Sequence, residues 1–294
     1  MNISELKNCY KRGENITTLL KKNGTNAQKG IELSYDLQAG SYSEYALNNR
    51  DKIFPMANEM AGILKQHIKE LNTILDCGVG EMTTLTEVLQ HLPARIEMLA
   101  FDISLSRIRA GREYVARTQG SAHNVIRSFV AAMDCIPLAN DSVDTVITSH
   151  ALEPNHGREE QLLNELFRVS RGKVILFEPS WEKNTEEGRR RMDKLGYVRE
   201  LPRHIEKLGG KLDSVLGLSN IGNPLNPTYC YIITLNKCSH PLKEGKTPFA
   251  CPNSGEILSE RNGYYWSQEG GYAYPIIEGV PILKKESGIL MTRA

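Results

Sequence analysis

One stretch, residues 73–83 with the sequence T-I-L-D-C-G-V-G-E-M-T, constrains the fold of this chain more than any other. Its apolar start predicts a buried parallel strand. Gly78 and Gly80 allow the backbone to turn sharply and to approach a ligand, and a helix is expected from about Met82. The pattern therefore predicts a strand that ends in a ligand-binding turn, as in an open α/β sheet.

The acid in this turn, Asp76, decides what kind of ligand is expected. A dinucleotide-binding turn reads G-x-G-x-x-G and aims a helix N-terminus at a pyrophosphate, which a carboxylate would repel. The third glycine position here is Thr83, so that fingerprint is incomplete. D-x-G-x-G resembles the first motif of class I S-adenosylmethionine-dependent methyltransferases. The resemblance implies that Asp76, Gly78 and Gly80 bind S-adenosylmethionine, whose product is S-adenosylhomocysteine.

Two further acids follow the next strands. Asp102 ends the second strand and stands 22 positions beyond Gly80, close to the ~20-residue spacing at which a βαβ unit presents an acid to a ribose diol. Capping of the following helix is the alternative reading of Asp102. The resemblance implies that Asp134 accepts a hydrogen bond from the adenine amino group. The other cofactor-binding residues predicted are Ile103, Met133, Cys135, Ser149, Tyr35 and Tyr42.

The fold expected is α/β: a Rossmann-like, doubly wound, seven-stranded sheet of class I methyltransferases with a small C-terminal β-rich module. Alternating strand and helix patterns over residues 31–237 carry this resemblance, with six strands located in the sequence. The predicted organisation is an N-terminal arm and lid (1–50), a cofactor-binding domain (51–238) and a module over 246–285. We expect residues 1–30 to form a loosely attached arm.

Charge and composition limit the possible partners. The chain has 294 residues, with 36 basic and 35 acidic side chains and a formal net charge of +1. No overall field favours nucleic acid or an anionic membrane. No apolar run approaches the ~18 residues of a membrane span, and the N-terminus lacks an apolar signal core, so a cytoplasmic location is expected. Six scattered cysteines favour reduced thiols over a disulfide framework.

The chemistry is expected after the fourth strand, where four polar side chains fall within seven residues: His150, Glu153, Asn155 and His156. In class I methyltransferases, the family that this sequence resembles, this position faces the transferable methyl group and its acceptor. For a hydroxyl acceptor the protein must align the nucleophile and remove its proton. His150 is the first candidate base and His156 the second. Either histidine could instead be a satisfied polar group near the cofactor.

A metal site is not expected here. The spacing H-x-x-E-x-x-H matches neither the carboxylate and amide ligands of catechol-type methyltransferases nor H-E-x-x-H. Glu178, after the fifth strand, is predicted to be a second catalytic acid at the acceptor pocket, or to pair with a nearby arginine. We therefore predict catalysis by His150, His156, Glu153 and Glu178 without a metal ion.

An arginine-rich run, with Arg189, Arg190 and Arg191 at its centre, follows the fifth strand. Such a run is usually a solvated helix face. Its place beside the acceptor side also allows an anion clamp for a phosphate or carboxylate of the substrate. Asn155 is predicted to join these arginines in substrate binding. Residues 220–228 are predicted to form a connecting loop. The alternative is that their asparagines line a polar pocket.

The C-terminal piece alternates short β segments with Gly and Asn turns. It resembles the small zinc-ribbon-like modules that accompany methyltransferases as activator subunits or fused domains. Residues 274–283 carry this resemblance, because they match the motif Y-P-I-x-x-G-x-P-x-L. The expected C-P-x-C is replaced by Cys251-Pro252-Asn253-Ser254. Cys238, His240 and Cys251 do not form two paired clusters, so a closed zinc site is not expected. The module is predicted to pack on the catalytic domain or to mediate dimerisation.

The sequence as a whole predicts an S-adenosylmethionine-dependent methyltransferase that acts on a small polar or anionic metabolite. Oxygen is the favoured acceptor atom. The sequence around His150 and the arginine-rich run resemble those of methyltransferase-like proteins of bacterial cell-surface glycan pathways. One alternative is an RNA methyltransferase, which the neutral net charge disfavours. The other is a catalytically silent binding or regulatory protein of the same fold.

Overall fold

The computed structural model describes residues 2–14, 16, 19–20, 24–25, 27–67, 73–93, 96–119, 126–220, 222–237 and 247–293. The helices in these ranges are α1 Ile3–Lys11, α2 Ala27–Leu37, α3 Ser41–Asn48, α4 Arg50–His67, α5 Thr83–Leu89, α6 Leu105–Gln119, α7 Glu159–Val169, α8 Glu186–Leu195 and α9 Leu201–Lys207. The strands of the main sheet are β1 Thr73–Cys77, β2 Glu97–Asp102, β3 Ile126–Val130, β4 Val143–Ser149, β5 Ser170–Pro179, β6 Gly210–Gly217 and β7 Thr228–Leu235.

The main sheet has seven strands in the order β3-β2-β1-β4-β5-β7-β6. Strands β1 to β5 are parallel, and β7 runs antiparallel to both β5 and β6. Successive side chains of β1 enter different cores: Ile74 packs on one face and Leu75 on the other. Burial on both faces requires a continuous apolar run in a parallel strand. The predicted doubly wound fold is confirmed.

One strand was not located from the sequence. β6 lies at the sheet edge, and its residues are mostly partly exposed or exposed. Charged Lys211 and Asp213 interrupt its apolar pattern. A strand that buries little of its surface leaves a weak hydrophobic signal, so the antiparallel ladder with β7 decides its position.

The described residues of the N-terminal arm, which the sequence predicts to be loosely attached over residues 1–30, include a small apolar cluster. Leu6, Cys9, Ile16 and Leu20 are buried together. Helix α2 follows and contacts α6 of the main domain. The first helix was missed because its nine residues are mostly polar and its few apolar side chains make a narrow stripe.

The C-terminal module forms a second, antiparallel sheet. Its strands are β8 Ser259–Arg261, β9 Tyr264–Ser267, β10 Tyr272–Ile277, β11 Val280–Pro281 and β12 Ile289–Leu290. The module joins the edge of the main sheet, where Leu283 N donates to Val130 O over 2.8 Å. Phe249 packs edge-on against Phe129 with 5.0 Å between ring centroids. One apolar core therefore continues across both sheets.

The module also reaches the N-terminal helices. Lys284, whose side chain is 11% exposed, pairs with Glu32 of α2 over 2.7 Å. Among the described residues, no group of three His, Cys, Asp or Glu side chains could hold a metal ion. Cys251 instead lies against the Tyr274 hydroxyl and the Ser254 amide. Cys238 and His240 lie outside the described residues. No helix of the described chain is both long and apolar enough to cross a membrane.

Replacement of Phe249 by alanine should destabilise the protein, because this buried ring contacts Phe129, Tyr265 and the Arg127 guanidinium. We expect a loss of about 3–5 kcal/mol in the free energy of unfolding, measured by urea denaturation. Ile289→Ala is the control, since that side chain is 60% exposed and should change the value by less than about 0.5 kcal/mol. An unchanged urea midpoint for Phe249→Ala would show that the two sheets do not share a core.

Candidate active site

A cavity of about 370 Å³ opens at the carboxyl ends of the central strands, beneath helices α2 and α3. In open α/β sheets this edge is where ligands bind. Most of the predicted site residues line it together: Tyr35, Tyr42, Asp76, Gly78, Gly80, Asp102, Ile103, Met133, Asp134, Ser149, His150, Glu153 and Asn155. The structure therefore gathers residues from more than 100 positions of chain around one space.

The glycine turn makes a close backbone approach that a side chain would prevent. Gly78 has φ of +75°, and a Cβ there would lie 2.5 Å from the Ala151 Cβ. The amides of Gly78 and Val79 both donate to Phe101 O over 2.9 Å, which holds the turn against β2. The turn thus leaves an open cradle beside the end of β1.

Asp76 is buried at the end of β1, and its Oδ1 has no hydrogen-bond partner. Burial, with the charges of Glu178 and Asp102 adding to it, raises the pKa of Asp76 to about 7. Asp76 lines the cavity, its unpartnered buried oxygen needs a donor, and a cationic donor favours the ionised form most. The ammonium group of S-adenosylmethionine fits this position.

Asp102 is also buried, but both of its oxygens accept backbone hydrogen bonds. Gly80 N donates to Oδ2 and Ser104 N donates to Oδ1, each over 2.9 Å. Burial raises its pKa, and the nearby Arg107 charge opposes the rise. A carboxylate has about four lone-pair sites and Asp102 lines the cavity, so the residue caps the local turn and can still accept from a ribose diol. The two readings of Asp102 are therefore compatible.

Asp134 has partners that the sequence analysis did not identify. Arg158 donates to its Oδ2 over 2.6 Å, and Gln28 of α2 donates to its Oδ1 over 3.3 Å. Met133 lines the cavity beside it, whereas Cys135 does not. The Cys135 thiol lies 3.5 Å from Pro252 O of the C-terminal module. The turn that carries Asp134 thus points Cys135 away from the predicted cofactor site.

His150 and Glu153 form a bonded pair on the cavity wall. His150 has φ of +53°, an uncommon conformation that follows directly after β4. Its Nδ1 bonds to Glu153 Oε2, and its Nε2 lies 2.7 Å from Thr228 Oγ1. Asn226 Nδ2 also donates to Glu153 Oε2, over 3.0 Å. Residues 220–228 therefore contribute to the wall and do not serve as a connecting loop alone.

This pairing shifts the protonation of both partners. Burial of the His150 ring opposes its charge, but the Glu153 hydrogen bond and charge outweigh burial and raise the histidine pKa. Burial raises the pKa of Glu153, and the His150 contacts outweigh it, so that pKa is lowered. The raised histidine pKa makes the ion pair stabilising below about pH 6.5, and this stabilisation is lost as the pH rises through the folded value.

Glu178 lies behind the cavity wall and not in its lining. It is fully buried and accepts from the amides of Ala151, Leu152 and Glu153 over 2.9–3.1 Å. Burial raises its pKa to about 7, and the His150 charge opposes the rise. The side chain thus anchors the loop that carries His150 instead of pairing with an arginine.

Four other predicted residues also lie outside the cavity lining. His156 bonds to Glu159 over 2.8 Å at the start of α7. On α8, Arg189 stacks on Trp181 and donates to backbone oxygens, exposed Arg190 pairs with Glu186, and Arg191 lies over the Tyr197 ring. The helix thus directs these arginines to its own surroundings, which does not support an anion clamp.

The charged lining residues that the sequence did not indicate include Glu81, Arg107 and Arg158. Glu81 is buried and accepts from the amides of Gly40 and Ser43, which ties the glycine turn to α3. Its position directly after Gly80 was an available signal. Arg107 and Arg158 reach the cavity through tertiary packing, so their neighbours in sequence carry no comparable signal.

Comparison with known proteins identifies the type of domain. Residues 74–173 match the family model of a methyltransferase domain. The fold is similar to magnesium protoporphyrin IX methyltransferase from Synechocystis PCC 6803 with bound SAH (TM-score 0.50, 14% identity, 64% of this chain and 85% of that chain). No curated protein sequence matches this chain.

The fold is also similar to a chain in the complex between the Haloferax volcanii Trm112 methyltransferase activator and a methyltransferase. That comparison has a TM-score of 0.52 and 14% identity, over 68% of this chain and 97% of that chain. Identities this low show the fold alone. The domain match carries the assignment: residues 74–173 of this chain match a methyltransferase domain.

Binding of S-adenosylmethionine should strengthen as the pH rises from 6 to 7.5. Asp76, with its pKa near 7, is partly protonated in the free protein, and a cationic ammonium group favours the ionised form. Calorimetry should therefore show proton release on binding and a falling Kd. The ligand 5′-methylthioadenosine, which lacks the amino-acid end, should show no such trend. Equal pH dependence for Asp76→Asn and the natural protein would contradict this assignment.

Proposed function

We propose that this enzyme methylates a hydroxyl group of a small polar metabolite. The observation that carries the proposal is the His150–Glu153 pair on the wall of a small cavity whose charged lining residues are mainly acids. The proposed cofactor is S-adenosylmethionine, which carries an electrophilic methyl group on its sulfonium. The chain must then hold the acceptor in line and provide a base for its proton.

The size of the cavity supports a small acceptor. Its volume of about 370 Å³ lies at the lower end of the ~300–1,000 Å³ that is usual for ligand pockets. The cofactor takes a share of this space. Only a small molecule, or one small end of a longer molecule, can then enter beside it.

The charges of the lining support an acceptor that is not anionic. Five carboxylates face the cavity: Asp76, Glu81, Asp102, Asp134 and Glu153. The cations in the lining are Arg107, Arg158 and, when protonated, His150; Arg158 is already paired with Asp134 and His150 with Glu153. A phosphate or carboxylate at the acceptor end would meet net negative charge. This favours a neutral hydroxyl compound over the anionic metabolite and the RNA that the sequence also allowed.

The bonding of His150 supports its role as the base. The Glu153 carboxylate accepts from Nδ1, so a neutral ring carries its lone pair on Nε2. In this arrangement Nε2 lies at hydrogen-bond distance from a hydroxyl, that of Thr228. An acceptor hydroxyl that replaced the Thr228 hydroxyl as the hydrogen-bond partner of Nε2 would donate its proton to this nitrogen. Glu153 would then stabilise the imidazolium.

The C-terminal module is proposed to support the site from within the chain. It pairs with Val130 at the end of β3, and its Lys284 holds α2, the helix that carries Gln28 and Tyr35. Both contacts lie on elements that frame the cavity. The similar Haloferax volcanii structure holds an activator as a separate protein, whereas here a module of the same chain would steady the lid. Dimerisation stays a prediction.

Methyl transfer from labelled S-adenosylmethionine to small-molecule pools tests the proposed acceptor class. Neutral glycan precursors come first, with anionic sugar nucleotides as the comparison, because a cell-surface glycan role is the untested prediction from the sequence. We expect label on a neutral hydroxyl, as an ether that resists mild base. Label released by mild base as methanol, or label found in RNA, would contradict the proposal.

Replacement of His150 by glutamine should lower kcat by about 10²- to 10⁴-fold, the usual contribution of a general base. The natural enzyme should gain activity as the pH rises, with an apparent pKa above the ordinary histidine value of about 6.5, because Glu153 stabilises the protonated ring. The pH–rate profile measures both effects. His204→Gln is the matched control, since His204 pairs with Glu160 outside the cavity lining. A full rate for His150→Gln would exclude this base.

A further inference from the structure

Arg107 holds an unusual position for a cation. It lies in the first turn of α6, and its guanidinium carbon is 4.9 Å from the ring centroids of both Tyr35 and Tyr42. The side chain lines the cavity and is 12% exposed. Two lid helices thus hold one charge by cation–π contacts at the border of the cofactor site.

The N–H groups of this guanidinium make few hydrogen bonds. Its Nε is buried with no hydrogen-bond partner. Its NH1 lies 3.7 Å from Asp102 Oδ2, which is beyond hydrogen-bond distance. A largely desolvated cation with unused donors is costly unless a ligand supplies acceptors. The geometry therefore calls for an anion in the cavity beside Arg107.

The guanidinium lies directly over the glycine turn. A Cβ on Gly80 would approach its NH2 to 2.4 Å, so the group uses room that only glycine leaves free. The same turn carries Asp76, whose unpartnered oxygen fits an ammonium group. A buried acid and a buried arginine thus face one cradle from two sides, as an amino acid zwitterion requires.

We infer that Arg107 binds the carboxylate of the methionine end of S-adenosylmethionine, with Tyr35 and Tyr42 holding the guanidinium in place. The planar fork of arginine matches the two oxygens of a carboxylate. Asp76 takes the ammonium group of the same ligand end. Through the two tyrosines, this contact with the cofactor is linked to α2 and α3.

Calorimetry with two ligands tests this inference without turnover. S-adenosylhomocysteine carries the amino-acid end, and 5′-methylthioadenosine keeps the base, ribose and sulfur but lacks that end. Arg107→Met should weaken S-adenosylhomocysteine by about 10- to 100-fold, the range for a hydrogen bond to a charged group, and leave 5′-methylthioadenosine within about twofold. Arg107→Lys should restore part of the loss, because it keeps the charge and loses the fork.

Two controls separate binding from folding. Arg109→Met, on the same helix, removes an exposed arginine that pairs with Glu278 and should bind both ligands normally. Thermal melting of each variant checks the fold, and Arg107→Lys provides the comparison if the methionine variant is unstable.

Equal weakening of both ligands would overturn the inference and assign Arg107 to support of Asp102. Tighter binding of both ligands would also overturn it, and would show that the guanidinium blocks the ribose position. Unchanged binding would show that Arg107 does not contact the cofactor. None of these results depends on the acceptor, so they leave the proposed hydroxyl methylation open to its own test.

Discussion

The burial of carboxylates at one edge of the sheet is the constraint on which this structure depends. Asp76, Asp102 and Glu178 end or follow β1, β2 and β5, where water is excluded and an unpaired charge is costly. Backbone amides satisfy Asp102 and Glu178, and in doing so they hold the glycine turn and the loop of His150 in place. Asp76 alone of these three keeps an unpartnered oxygen. The hydrogen bonds that satisfy two of these buried carboxylates thus hold the cavity wall in place. The third carboxylate, that of Asp76, is left available for a cationic ligand.

A second set of buried contacts places the lid over this edge. The Glu81 carboxylate accepts from two amides at the start of α3, and Lys284 of the C-terminal module pairs with Glu32 of α2. Arg107 of α6 contacts both Tyr35 of α2 and Tyr42 of α3, which is a third contact between the lid helices and the rest of the protein. Each contact joins segments that are far apart in the chain. The N-terminal helices and the C-terminal module therefore form part of one site with the central sheet.

The regular part of the fold was predictable because its signals are local. β1 to β5 and the acids that end or follow several of them could be placed from apolar runs and turn residues, since the carboxyl ends of parallel strands meet at one edge. β6 could not be placed, because an edge strand that buries little surface shows no clear period. The polar α1 was missed for the same reason. Packing against the rest of the chain determines such elements.

The sequence by itself determined the α/β fold, the glycine turn and the acids that line the cavity, because each of these depends on a few neighbouring residues with a fixed geometry. Tertiary structure alone decided which polar side chains of the loops enter the cavity. His150 and Glu153 enter it while His156 does not, and Arg107 enters it while the arginines of α8 do not. The reason is that a side chain's direction in an irregular loop, and its partner across the fold, depend on distant segments: Asn226 meets Glu153 and Arg158 meets Asp134 only once the sheet has assembled.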